Sequence, residues 1–125
     1  MPVNAPKVIV TIDGPAGTGK SSVAGQLADR LGLVCLDTGA MYRCVALLAI
    51  RNGVAGDDAS ALVELMAKHE VGFDWEAVPP RILLDGEDVE EAIRTAEIGQ
   101  VVSIVAAVPD VREAMVLAQR ELAAT

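Results

Sequence analysis

Residues 14–21, Gly14-Pro15-Ala16-Gly17-Thr18-Gly19-Lys20-Ser21, complete the spacing glycine, four residues, glycine-lysine-serine. A phosphate chain carries closely packed oxygens, and only a tight glycine-rich turn can aim several backbone N–H groups at them. The helix that follows adds its own unpaired N-terminal donors. Lys20 then falls where its ammonium meets β- and γ-phosphates, and the Ser21 hydroxyl falls where it can ligate Mg²⁺. An ordinary glycine turn is the plain alternative, and the flanks weigh against it. A Val/Ile-rich strand over residues 7–12 enters the turn, and a helix leaves it with Val23, Ala24, Leu27, Ala28 and Leu31 on one side.

Taken in order, residues 1–6 are a frayed start, with Pro2 and Pro6 discouraging regular structure. The first helix is expected from about residue 19 to residue 31, with Gly32 suited to a left-handed C-cap, and residues 33–36 form a second strand. This is a βαβ unit, whose ligand sits beyond the C-terminal ends of the strands. Asp37-Thr38-Gly39 stands at such an end. Thr38 can cap a helix running to Arg51 with Met41, Val45, Leu48 and Ala49 inward, and Arg43 near its start can reach the same crevice. Asn52-Gly53 ends that helix, and Asp57 or Asp58 caps another running to about residue 69, with Leu62, Leu65 and Met66 inward.

The period then switches to that of a strand. Val71, Phe73 and Trp75 alternate with polar residues, Pro79-Pro80 interrupts, residues 81–84 resume, and Asp85-Gly86 is a hairpin turn signal. Residues 70–90 therefore read as a small antiparallel excursion, either closing over a substrate or lying as a plain surface hairpin. From residue 91 the pattern is helical again through Ile98, Val101, Val102 and Val105 to a break at Pro109. Asp110 and Glu113 have capping spacing for a last helix with Val111, Met115, Ala118 and Leu122 on its apolar side.

Composition excludes several classes of function. A formal net charge of −8 argues against a footprint on nucleic acid or an anionic membrane, and aromatics at 2% cannot build a stacking platform. A few well-placed arginines can still create a local site for a small phosphorylated substrate. No apolar segment is long enough to cross a bilayer. Cys35 and Cys44 are too few for a disulfide scaffold, which fits a reduced cytoplasmic setting, and no His/Cys grouping suggests zinc.

Four stretches, TIDGPAGTGKSSVA at 11–24, LDTGAMYR at 36–43, LDGEDVEEAIRT at 84–95 and VREAMVLAQRELA at 111–123, closely resemble the N-terminal part of bacterial cytidylate kinases. These belong to the nucleoside monophosphate kinase group of phosphate-loop enzymes. The resemblance implies an α/β fold of three layers around a central parallel sheet, with a monophosphate-nucleotide-binding insert. It divides the chain into a core portion over 7–69, an insert over about 70–103 and a return helix over 104–125. It implies transfer of the γ-phosphoryl of ATP to CMP or dCMP with Mg²⁺. Gly14, Pro15, Ala16, Gly17, Thr18, Gly19, Lys20, Ser21 and Ser22 then hold the ATP phosphates, with Ser21 on the metal. Asp37, Thr38, Arg43, Arg94, Ser103 and Arg112 serve the acceptor: Arg43 and Arg112 grip its phosphate, and Ser103 faces the cytosine. Lys20, Arg43 and Arg112 would surround the transferring group with positive charge, as in-line phosphoryl transfer requires.

Some readings stay open at this stage. Arg94 can instead pair with Glu90, Glu91 or Glu97, and Ser103 can be ordinary helix filling. A kinase for shikimate or another small hydroxyl compound is the enzyme alternative, and a non-catalytic nucleotide-binding or assembly fragment is the other. Family members continue with a strand ending in glycine-arginine-aspartate, an arginine-rich lid and further strands, and that first strand separates the two retained here. The full-length enzyme is expected to be a monomer. The 125-residue chain alone is expected to expose strand edges and self-associate, and to bind ATP weakly at most with little or no CDP formed.

Overall fold

The structure, a computed structural model, describes residues 9–11 and 34–124. The phosphate-loop sequence over 14–22, the helix expected over 19–31 and Gly32 lie outside the described residues. Strand β1 (Ile9–Thr11) and strand β2 (Val34–Leu36) pair in parallel, with Ile9 opposite Val34 and Thr11 opposite Leu36. The two are direct neighbours; the strand that the family resemblance implies between them belongs to the part of family members beyond these 125 residues. Two short extended segments lying side by side satisfy their backbone donors and acceptors on each other when nothing intervenes. The remaining strands form a separate antiparallel sheet, so a broad central parallel sheet is not among the described elements.

Helix α1 (Thr38–Arg51) follows β2 directly. Its cap is Asp37 rather than the expected Thr38, which is already the first helical residue; the Asp37 Oδ1 accepts from the Ala40 N–H at 3.0 Å. A carboxylate there also favours the positive end of the helix dipole. At the far end Gly53 sits at φ 64°, a left-handed position that costs glycine nothing, while the Val54 N–H returns to the Ala49 carbonyl at 2.8 Å. Asp58, one of the two expected caps, starts helix α2 (Ala59–Lys68) by accepting from the Ala61 N–H at 3.2 Å.

The excursion expected over 70–90 is present. Strands β3 (Val71–Asp74), β4 (Arg81–Leu84) and β5 (Glu87–Asp88) form an antiparallel sheet in that order. Asp85 and Gly86 make its second turn at φ 51° and 83°, both left-handed, as a two-residue hairpin of twist-matched type demands. A 3₁₀ turn (Ala92–Arg94) leads to helix α3 (Ala96–Ala106), so the helical reading from residue 91 is broken at Thr95, whose extended backbone and side chain cap α3 at the Ile98 N–H. The last helix, α4 (Pro109–Ala124), begins at Pro109, and Asp110 lies in its first turn instead of preceding it. Proline fits there because its missing N–H would have had no partner.

The core gathers where α1 meets the other helices and the inner face of the hairpin sheet. Met41, Leu62, Ile82, Ile93, Ile98 and Met115 come from six different elements and are each at most 1% exposed. Full burial of side chains this size contributes roughly 1.5–3 kcal/mol apiece. The inward residues expected on α1 (Met41, Val45, Leu48, Ala49) are all buried, and those expected on α4 (Val111, Met115, Ala118, Leu122) pack into the same core.

The hairpin is tied to α2 through a side chain the sequence reading passed over. Asp85 accepts from the Glu70 N–H at 2.8 Å and lies 2.6 Å from Nδ1 of His69, the C-cap of α2. The Glu70 N–H chiefly, and His69 next, hold the Asp85 carboxyl below its ordinary value of 3.8. With a folded value below the unfolded one, this support is complete above about pH 4 and is lost as pH falls through the depressed value. Exchange protection of the Glu70 amide is therefore expected to hold at pH 5 and to fall between about pH 4 and pH 2. Protection that stays flat over that window would remove Asp85 from the support of the turn.

Candidate functional site

Asp37 and Thr38 stand immediately after β2, at the carboxyl end of the described parallel pair, where α/β folds bind ligands. Asp37 is exposed while committed to its cap, and Thr38 is buried at 5% exposure. Arg43, in the second turn of α1, is half-buried, and its Nη1 donates to the Ile93 carbonyl at 3.3 Å. Ile93 is fully buried, so this acceptor is fixed by the core. Arg94, the next residue, is exposed and donates from Nη2 to Glu90 Oε2 at 2.9 Å; of its three open partners the structure selects Glu90. The short segment 90–94 thus brings Arg43 and Arg94 to one place.

Ser103 and Arg112 lie on α3 and α4. Ser103 is exposed on α3 and lines an open cleft of about 610 Å³ with Asp57, Ala59, Ile104 and the α3–α4 junction. Gly56, just beyond the end of α1, lies so close to Val101 and Ile104 that a Cβ there would meet them at 3.3 and 3.4 Å. Ser103 therefore stands near residues 56–59, past the C-terminal end of α1. Arg112 is exposed in the first turn of α4. Among the described residues no hydrogen bond or ion pair joins Ser103 or Arg112 to Arg43 or Arg94.

Sequence reasoning missed one group at this site, the Ile93 carbonyl, since a backbone acceptor is invisible until the turn is built. Glu90 was open as an Arg94 partner, and its spacing of four residues favours it. Cys44, fully buried on α1 next to Arg43, has its thiol pushed up to about 12, mainly by burial and secondly by the charge of Glu90. Such a thiol is inert. Among the described residues, no three His, Cys, Asp or Glu side chains gather where they could hold a metal ion, and no helix is long and apolar enough to cross a membrane.

The family model described as cytidylate kinase matches residues 10–125, taking in the phosphate loop, Arg43 and the hairpin. The chain belongs to the cytidylate kinase family. It is 49% identical over 116 residues to the cytidylate kinase of Syntrophotalea carbinolica, covering 93% of this chain and 49% of that one. Over the same length it is 47% identical to that of Caldanaerobacter subterraneus, covering 93% and 50%. It is 49% identical over 117 residues to that of Rhodococcus jostii, covering 94% and 51%. The chain spans about half the length of the curated relatives it matches. Membership carries a phosphate-loop kinase fold for the chain.

Proposed function

We propose that this chain supplies the ATP phosphate loop and part of the acceptor site of an enzyme that transfers the γ-phosphoryl group of ATP to CMP or dCMP. The observation that carries this reading is the unbroken family match over 10–125, which contains both the loop and the arginine of the second strand-helix junction. In this reading Gly14 to Ser22 cradle the triphosphate, and Lys20 neutralises charge on its outer phosphates. Magnesium that arrives with ATP is held largely by phosphate oxygens and water, so one hydroxyl from this chain, that of Ser21, suits it.

Arg43 and Arg112 hold the acceptor phosphate in line with the donor, and Ser103 meets the base. Ser103 lines the cleft beside Asp57 and Ala59 while Arg43 reaches the Ile93 carbonyl, which supports this division, because a nucleotide carries its phosphate and its base at opposite ends. Asp37 and Thr38 line the acceptor pocket, and residues 70–103 form the insert over it, beside a core of parallel strands completed by the rest of the enzyme. The proposed setting is cytoplasmic and the proposed enzyme monomeric. The test is product formation from Mg²⁺ and ATP with CMP, dCMP, UMP or shikimate, using the intact gene product that carries this chain. CDP and dCDP are the expected products; phosphorylated shikimate in their place, or ATP binding with no transfer, would overturn the reading.

A further inference from the structure

Glu90 joins the hairpin sheet to the segment that carries Arg94. It is only 14% exposed, while its partner Arg94 is 62% exposed. Its two oxygens are divided: Oε1 accepts from the Ile82 N–H on β4 at 3.0 Å, and Oε2 accepts from Arg94 Nη2 at 2.9 Å. One end is thus anchored to the hairpin sheet through the backbone of a fully buried residue, and the other holds a cation that would otherwise swing freely. The same segment carries the Ile93 carbonyl that receives Arg43 at 3.3 Å.

We infer that Glu90 is a positioning residue for the acceptor site: it locks segment 90–94 to β4 and so fixes Arg94 directly, and Arg43 through the Ile93 carbonyl, for a monophosphate nucleotide. The inference rests on the function proposed above. Its chemistry is that of a largely buried carboxylate paired with an exposed arginine, an arrangement that orders a long side chain before the ligand arrives.

The test uses Glu90→Gln, Arg94→Met and the double variant of the intact gene product. Glutamine keeps an oxygen for the Ile82 N–H, so the hairpin anchor survives while the charge on Arg94 is lost. Expected is a rise of about tenfold in the CMP dissociation constant and in KM for CMP, with KM for ATP and kcat changed less than about twofold. The double variant is expected to match Arg94→Met, since a residue that acts through Arg94 has nothing to add once it is gone. Arg94→Met leaves the Ile82 anchor untouched and decides the matter even where Glu90→Gln does not fold: unchanged CMP affinity in that variant overturns the inference. Additive losses in the cycle, or equal losses for ATP and CMP, overturn it as well. Wild-type protein that binds no CMP overturns the functional reading and the inference together, whereas normal wild-type binding with an unaffected Glu90→Gln overturns the inference alone.

Discussion

Replacing Lys20 by methionine in the intact gene product is expected to lower kcat for CDP formation by about 10³-fold, roughly 4 kcal/mol of transition-state stabilisation. The change keeps most of the side-chain length and apolar stem and removes only the ammonium. In the proposed arrangement backbone N–H groups of the glycine turn would do most of the ground-state holding, so KM for ATP should move far less than kcat. The cation matters most when charge builds on the bridging and outer oxygens as the phosphoryl group departs. A drop of less than tenfold would mean that Lys20 does not face the triphosphate, and the assignment of residues 14–22 to the ATP phosphates would go with it.

How far the molecule was legible in advance depends on whether a feature is written in side-chain pattern or in backbone placement. Helix α1 was legible because Met41, Val45, Leu48 and Ala49 recur at helical spacing, and all four are buried. The Asp85-Gly86 turn was legible because both positions need left-handed backbone and both residues tolerate it. Asp58 is legible as a cap, whereas the reading of Thr38 falls one residue past Asp37, although an aspartate just before a helix is the stronger N-cap, and Thr95 lies inside an apolar period that reads as continuous. The pairing of β1 with β2 was not legible, since strand order is set by which neighbours compete for a ladder and not by any property of residues 7–12 or 33–36.

The candidate site divides in the same way. Arg43 and Arg94 could be named from residue type and motif, but their meeting at segment 90–94 depends on a carbonyl and on the burial of Ile93. Glu90 was visible only as one of three acids near Arg94. What distinguishes it is that its second oxygen finds the Ile82 N–H, a contact made across the sheet by a residue eight positions away.

Arg43→Lys should show how much of the acceptor site resides in guanidinium geometry. Arginine presents a planar fork; one nitrogen, Nη1, is spent on the Ile93 carbonyl, and that bond orients the plane so that the remaining N–H donors point as a set. A lysine ammonium retains the charge but is a single mobile point, and it cannot hold the carbonyl and grip two oxygens of a phosphate at once. The expected result is a fall of about 100-fold in kcat/KM for CMP, with KM for ATP unchanged within about twofold. Loss of fold is not the cause expected, because a single side-chain bond to a carbonyl is worth only about 1 kcal/mol net. A thermal midpoint within a few degrees of wild type, measured on the same sample, checks that point. If Arg43→Lys kept the wild-type kcat/KM, charge alone would suffice at this position, and the Ile93 carbonyl would be a packing contact with no part in aiming the arginine.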